Sequence, residues 1–129
     1  MSTRIKLVQG DTKPQILCSI TDDTTGNIVD ISGSTVHLKF RAEGTTTVLF
    51  TLLGNVQSGI LDSTGNITQA GTGQTYAIAG SGGLVAFQFG TGNLLVDPGL
   101  YEGEIEVTFS TGAVQTVYAP VKFSVRAQF

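Results

Sequence analysis

The chain predicts an all-β protein, an antiparallel β-sandwich of about 7–8 strands. Three observations carry that prediction. Residues Tyr101, Gly103, Ile105, Val107 and Phe109 alternate strictly with Glu102, Glu104, Glu106 and Thr108. This is period two, the mark of a strand with one dry face and one wet face. Turn chemistry recurs about every 8–12 residues, a spacing that favours a sandwich over a barrel. No segment shows a helical period. The length, 129 residues, fits one domain spanning 1–129, with core enough to fold without disulfides.

The elements follow in order. Ile5 to Gln9 reads as a short first strand. Gln15 to Thr21 is the second, with Ile16, Cys18 and Ile20 on one side. Asp22 to Asn27 is turn chemistry, rich in Asp, Thr, Gly and Asn. Ile28, Val29 and Ile31 form a brief edge segment. Ser34 to Arg41 alternates cleanly, with Val36, Leu38 and Phe40 inward and Thr35, His37, Lys39 and Arg41 outward. Glu43-Gly44 turns the chain into a Thr-rich, β-branched strand from Thr46 to Leu53.

Residues 54–83 differ in composition. Gly71, Gly73, Gly80, Gly82 and Gly83 crowd the second half. A structureless loop of that length is improbable in a compact domain. The stretch therefore reads as a glycine-rich insertion holding an extra hairpin, Ser58 to Leu61 against Asn66 to Gln69. Thr75 to Ala79 is a second candidate strand. Val85, Phe87 and Phe89 then alternate with Ala86 and Gln88, and Gly90 to Asn93 turns again. After the strand from Asp97 to Phe109, Ala113 to Val117 and Val121 to Ala127 complete the set. Pro120 marks a break or an edge between them. Tyr101 follows a Pro-Gly turn at a strand start, where either a tyrosine corner or simple packing at the core edge accounts for it.

Composition narrows the function. Charged residues make up 13% of the chain, and the net charge is -3. The seven Lys and Arg are scattered, so the basic patch needed for nucleic acid is missing. Low charge with abundant Thr, Ser and Gly fits either a surface packed against other proteins or a plain uncharged one. No apolar run reaches the roughly 18 residues needed to span a bilayer. The start, Met1 to Gln9, lacks a signal-peptide core, which predicts a product that first appears in a cytoplasm. With one cysteine no intrachain disulfide forms, and Cys18 reads as a small buried apolar residue.

No catalytic constellation appears in the sequence. A Ser-His-Asp or Cys-His arrangement would have to use His37, the single histidine, which falls on a polar strand face. One His and one Cys cannot build a zinc site from N and S ligands. Gly71-Thr-Gly73, Gly80-Ser-Gly82 and Gly90-Thr-Gly92 lack both a third glycine and a following helix. Asp22, Asp23, Asn27 and Asp30 offer oxygens around one turn without EF-hand spacing, so an Asx-rich turn is the better reading. Glu102, Glu104 and Glu106 form a stripe that is either solvated or meets a basic partner. They do not form a carboxylate pair across a cleft. Of three tyrosines only Tyr76 falls in the insertion, a thin inventory for carbohydrate recognition. No catalytic residue, cofactor or metal is expected.

Two segments together carry a resemblance. One runs from Val8 through the Gly10-Asp11 start and the Asp22-Gly26 turn, then Val29-Asp30-Ile31-Ser32-Gly33, to Arg41. The other is Asp97-Pro98-Gly99-Leu100-Tyr101 through Gly112. Both resemble the immunoglobulin-like N-terminal domain of phage baseplate upper proteins and related modules of phage tails and heads. The resemblance covers about half the chain and rests on turn and strand punctuation. It implies an immunoglobulin-like sandwich and a structural or connector role in a tailed-phage virion, at the baseplate or tail. The implied localisation is the virion, assembled in the host cytoplasm. The implied partners are other virion proteins, in a homo-oligomer or symmetric assembly, with neither nucleic acid nor membrane. The alternatives are a head decoration or head-fibre base protein, and a carbohydrate- or receptor-binding surface module. In the baseplate proteins further chain follows this domain, so ending at Phe129 suggests a stand-alone module. Expected contact elements are Ile5 to Gln9, the 54–83 insertion and Val121 to Phe129.

Overall fold

A computed structural model describes residues 4–22, 24–62, 64–69, 76, 78–117 and 120–129. Among them every regular element is a strand. In chain order these are β1 (Ile5–Val8), β2 (Gln15–Ser19), β3 (Thr35–Ala42), β4 (Phe50–Leu53), β5 (Asn55–Val56), β6 (Ile60–Leu61), β7 (Ile67–Thr68), β8 (Leu84–Gln88), β9 (Gly99–Thr108), β10 (Val114–Thr116) and β11 (Val121–Arg126).

The strands form a sandwich. The larger sheet has the order β1-β11-β9-β3-β4, and the smaller has the order β2-β8-β5. β10 also pairs with β9, alongside its second half, while β11 takes the first half. β11 begins at Val121, just after Pro120, which has no N–H to donate to a ladder. All pairings are antiparallel except one: β1 runs parallel to β11, with Ile5 opposite Phe123 and Val8 opposite Arg126. β6 and β7 pair as a separate hairpin, with Ile60 opposite Thr68. That hairpin lies where the sequence predicts it, in shorter form. The insertion begins only after β5, because Asn55 and Val56 pair with Ala86 and Val85 in the smaller sheet. The Thr75 to Ala79 candidate strand lies partly outside the described residues.

The dry faces meet in one core. Val36, Leu38 and Phe40 from β3 are fully buried, as their alternation predicts. Tyr101, Ile105 and Val107 from β9, and Phe123 and Val125 from β11, join them from the same sheet. Ile16, Val85, Phe87 and Phe89 face them from the smaller sheet side. Phe40 lies at the centre of an aromatic group, stacked on Phe50 at 4.6 Å and on Tyr101 at 5.1 Å, with the Phe89 ring edge-on at 5.9 Å. Each such pair adds about 0.5–1.5 kcal/mol beyond area burial.

Two glycines on the inner faces make this packing possible. A Cβ on Gly103 would come within 2.8 Å of Leu38 Cδ2 and 3.1 Å of Phe123 Cε2. One on Gly54 would come within 2.6 Å of Val85 Cγ2. β8 departs from simple alternation. Leu84 and Ala86 point away from the central core yet are also buried. The insertion explains this: β6 packs beside β2, on the smaller sheet.

β4 is shorter than the Thr46 to Leu53 expectation. Thr45 N–H and Oγ1 both bond back to the Ala42 carbonyl, and the exposed residues that follow rejoin β3 only where Leu49 N–H meets the Phe40 carbonyl.

Candidate functional site

The wet face of the larger sheet carries its charges in register. Antiparallel pairing sets Arg41 opposite Glu102, Lys39 opposite Glu104 and His37 opposite Glu106. From the other side of β9, Lys122 on β11 lies opposite Glu102. Arg41 Nε donates to Glu102 Oε1 at 2.9 Å and Lys122 Nζ donates to Oε2 at 3.0 Å. Lys39 reaches diagonally to Glu106 at 3.2 Å. Arg4 and Lys122 both meet Glu43, at 2.7 and 3.6 Å.

This corrects one expectation. Glu102 is not on an open wet face: it is only 6% exposed, because two long cationic side chains from flanking strands close over it. The basic partner of the glutamate stripe is the chain itself. The Lys122 hydrogen bond, ahead of the one from Arg41, holds the Glu102 carboxyl below its usual range despite burial. Glu102 in turn raises Lys122, and Arg4 lowers Glu43.

The Asp-rich turns are occupied by backbone. Asp22 Oδ1 accepts the N–H groups of Thr24 and Thr25 at 2.8 and 3.2 Å, and Asp30 Oδ1 accepts Ser32 N–H and Oγ–H at 2.9 and 2.7 Å. Asp23 lies outside the described residues, as do Gly71, Gly73 and Tyr118. Those bonds make Asp22 and Asp30 Asx turns. Among the described residues no three His, Cys, Asp or Glu side chains gather as metal ligands.

His37 sits directly between Leu53 and Glu106 in the sheet register. Cys18 is a free thiol packed against the core, and burial pushes it up to about 11, far from thiolate chemistry. Tyr76 is half-buried, not a free aromatic platform, and its carbonyl accepts Gly59 N–H.

The glycine-rich segment makes its close approaches within the chain. Gly80, at φ +89°, leaves no room for a Cβ against Ser32 N and Ile31 C. Gly82 abuts the Gly59 carbonyl, and Gly83 abuts the Ile20 carbonyl. Ile31 N–H also bonds to the Gly80 carbonyl at 2.9 Å. These contacts fasten the insertion to the sandwich, and no signal in one sequence says which backbone a glycine will meet.

What remains open to a partner is edge and end. β11 lies inside the larger sheet, since β1 and β9 cover both its sides. Ala127, Gln128 and Phe129 beyond it are exposed, and Phe129 lies under the Arg126 guanidinium at 4.4 Å. The larger sheet ends in β1 and β4, and the exposed β10 leaves a short third edge beside β9. At the end of the sandwich where β9 begins, Ala42, Leu49, Leu95, Val96, Asp97 and Tyr101 line a shallow groove.

No family model matches the chain, and no curated protein or solved structure matches it either.

Proposed function

We propose that this protein is a non-catalytic structural module of a tailed-phage virion, seated at the baseplate or tail, with an immunoglobulin-like sandwich. The observation that carries the fold half of this reading is the strand order. In immunoglobulin-type sandwiches the third, sixth and seventh strands share one sheet, extended by an added C′ strand in variable-type domains. The second, fourth and fifth strands occupy the other. β3, β9 and β11, extended by β4, correspond to the first group, and β2, β5 and β8 to the second. The first strand departs from the constant-type order, lying beside β11 rather than β2.

Tyr101 supports the same reading. It opens β9, the counterpart of the sixth strand, and its hydroxyl donates to the Asp97 carbonyl four residues upstream. A tyrosine corner makes a contact of this kind. The virion half rests on the resemblance of residues 8–41 and 97–112 to baseplate modules. A low-charge surface with open sheet edges suits a role in packing against neighbours.

The test is the protein content of gradient-purified phage particles from the source lysate. Mass spectrometry should find this chain in fixed ratio to tail proteins. A chain recovered only from the soluble host fraction would contradict the proposal.

A further inference from the structure

The larger sheet ends in β1 and β4, with the three-residue β10 open beside β9, and its two end strands differ in how they are guarded. Edge strands carry unpaired N–H and C=O groups, and proteins blunt them with charge or proline. β1 has Lys6 exposed at its centre and Arg4 beside it. β4 has no such guard. From Gly44 to Leu61 the sequence contains neither a charged residue nor a proline. Gly54 N–H bonds to the Val36 carbonyl at 2.7 Å, and Leu52 and Phe50 lie opposite Leu38 and Phe40. Hydrogen-bonded pairs alternate along an antiparallel ladder, so the N–H and C=O of Thr51 and Leu53 point away from β3. Among the described residues they have no backbone partner. Leu53 is 68% exposed, and Val48 and Leu49 are exposed just before the strand.

We infer that β4 is a self-association edge: it pairs antiparallel with β4 of a second copy, joining two larger sheets across a two-fold axis. The occupant follows from charge and symmetry. An uncharged edge meets its own copy without repulsion, and an isologous contact uses one patch twice. β1 meeting β1 would set Lys6 and Arg4 near their own copies, which like-charge pairing opposes. Within the β3–β4 register the charged residue is Lys39, opposite Thr51. Three strand spacings would separate it from its copy, about 14 Å, beyond the Debye length of about 8 Å at physiological salt. The described strand is four residues long, which cannot by itself supply the roughly 1,200–2,000 Å² of a stable interface. The dimer is therefore weak and concentration-dependent, with a Kd on the order of 10–100 μM. Local enrichment on an assembling particle would drive such a contact. This deepens the assembly reading by naming a partner, while resting on the edge geometry alone.

Sedimentation velocity of the purified full chain from about 5 to 500 μM tests it, a range that brackets that Kd. The weight-average mass should climb toward twice the monomer. Thr51→Lys places a charge on the edge, and Thr51→Pro deletes one outward N–H without touching the β3 ladder. Each should lower association at least about tenfold, the effect of losing roughly 1.4 kcal/mol, with an unchanged circular dichroism spectrum. Lys6→Glu should leave association as it is. A chain that stays monomeric throughout overturns the inference, and so does association that Thr51→Lys leaves intact. If Thr51→Pro does not fold, Thr51→Lys alone decides. Because no particle is involved, neither result bears on where the protein resides.

Discussion

Glu102 and Lys122 face each other across β9 and β11 with carboxylate and ammonium 3.0 Å apart, and Arg41 closes the same carboxylate from β3. Three strands far apart in sequence are thus joined by one side chain that is almost wholly shielded from water. Removing one partner of such a group costs more than the pair contributes, because the others remain partly desolvated and unpaired.

Glu102→Gln should therefore destabilise the fold by about 1–3 kcal/mol. In thermal unfolding that corresponds to a Tm fall of roughly 3–10 °C. Glu104→Gln is the control. Glu104 has no ion pair among the described residues, and its substitution should fall within about 0.5 kcal/mol of the parent. Equal effects for the two would contradict the shielded-carboxylate account.

The pH dependence follows from the same contacts. Glu102 and Glu43 are held below the ordinary glutamate value of 4.5. The unfolded chain binds protons first as the pH falls, so their stabilisation is full above that value and is lost as the pH drops through their lowered values. Lys122 is raised above its ordinary 10.5, so its contribution is full below that value and is lost as the pH rises through the raised one. Urea midpoints should be flat near neutrality and fall at both extremes. The acid limb should be shallower in Glu102→Gln.

Tyr101→Phe isolates the hydroxyl's hydrogen bond. The ring keeps its stack on Phe40 while the bond to the Asp97 carbonyl disappears. A loss of about 1 kcal/mol is expected. Tyr101→Ala, which empties the aromatic site, should cost about 3–5 kcal/mol. Chemical denaturation of both variants measures the split.

Period two made β3, β9 and β11 legible because each has one fully apolar side, and the Asp62-Gly65 turn made the β6–β7 hairpin legible. What the alternation misses is tertiary. Glu102 obeys the wet-face pattern yet is buried, since its cover comes from Arg41, 61 positions earlier, and from Lys122, 20 positions later. Leu84 and Ala86 break the pattern because the insertion shields a second face. The interior position of β11 depends on parallel pairing with β1 from the opposite end of the chain, a contact no local pattern encodes. The candidate site was legible mainly as an inventory: the Asp-rich turn, His37 and Cys18 were all visible, while the unguarded β4 edge needed the strand order.

Two glycine substitutions separate side-chain crowding from backbone crowding. Gly103→Ala meets only side-chain atoms, of Leu38 and Phe123, and should cost about 1–3 kcal/mol as they shift. Gly80→Ala meets Val56 Cγ1 and, unlike Gly103→Ala, also backbone at Ser32 and Ile31, and it forces a side chain to φ +89°. It should cost more than Gly103→Ala, since strain of about 1–3 kcal/mol adds to the clash. Urea unfolding that ranks them in the reverse order would show that the insertion is not fastened through Gly80.

Cys18 should label slowly. With its thiol pushed up to about 11, iodoacetamide at pH 8 should react roughly 100-fold more slowly than with an exposed cysteine, and at the free rate in urea.

The central claim is that this sandwich is a part of a phage particle, and immunogold labelling of intact particles in negative stain tests it most directly. The account predicts gold at the baseplate or along the tail. Gold over the head would keep a virion role and reject the tail position. Particles that bind no gold, whether intact or disrupted to expose buried epitopes, would contradict the claim.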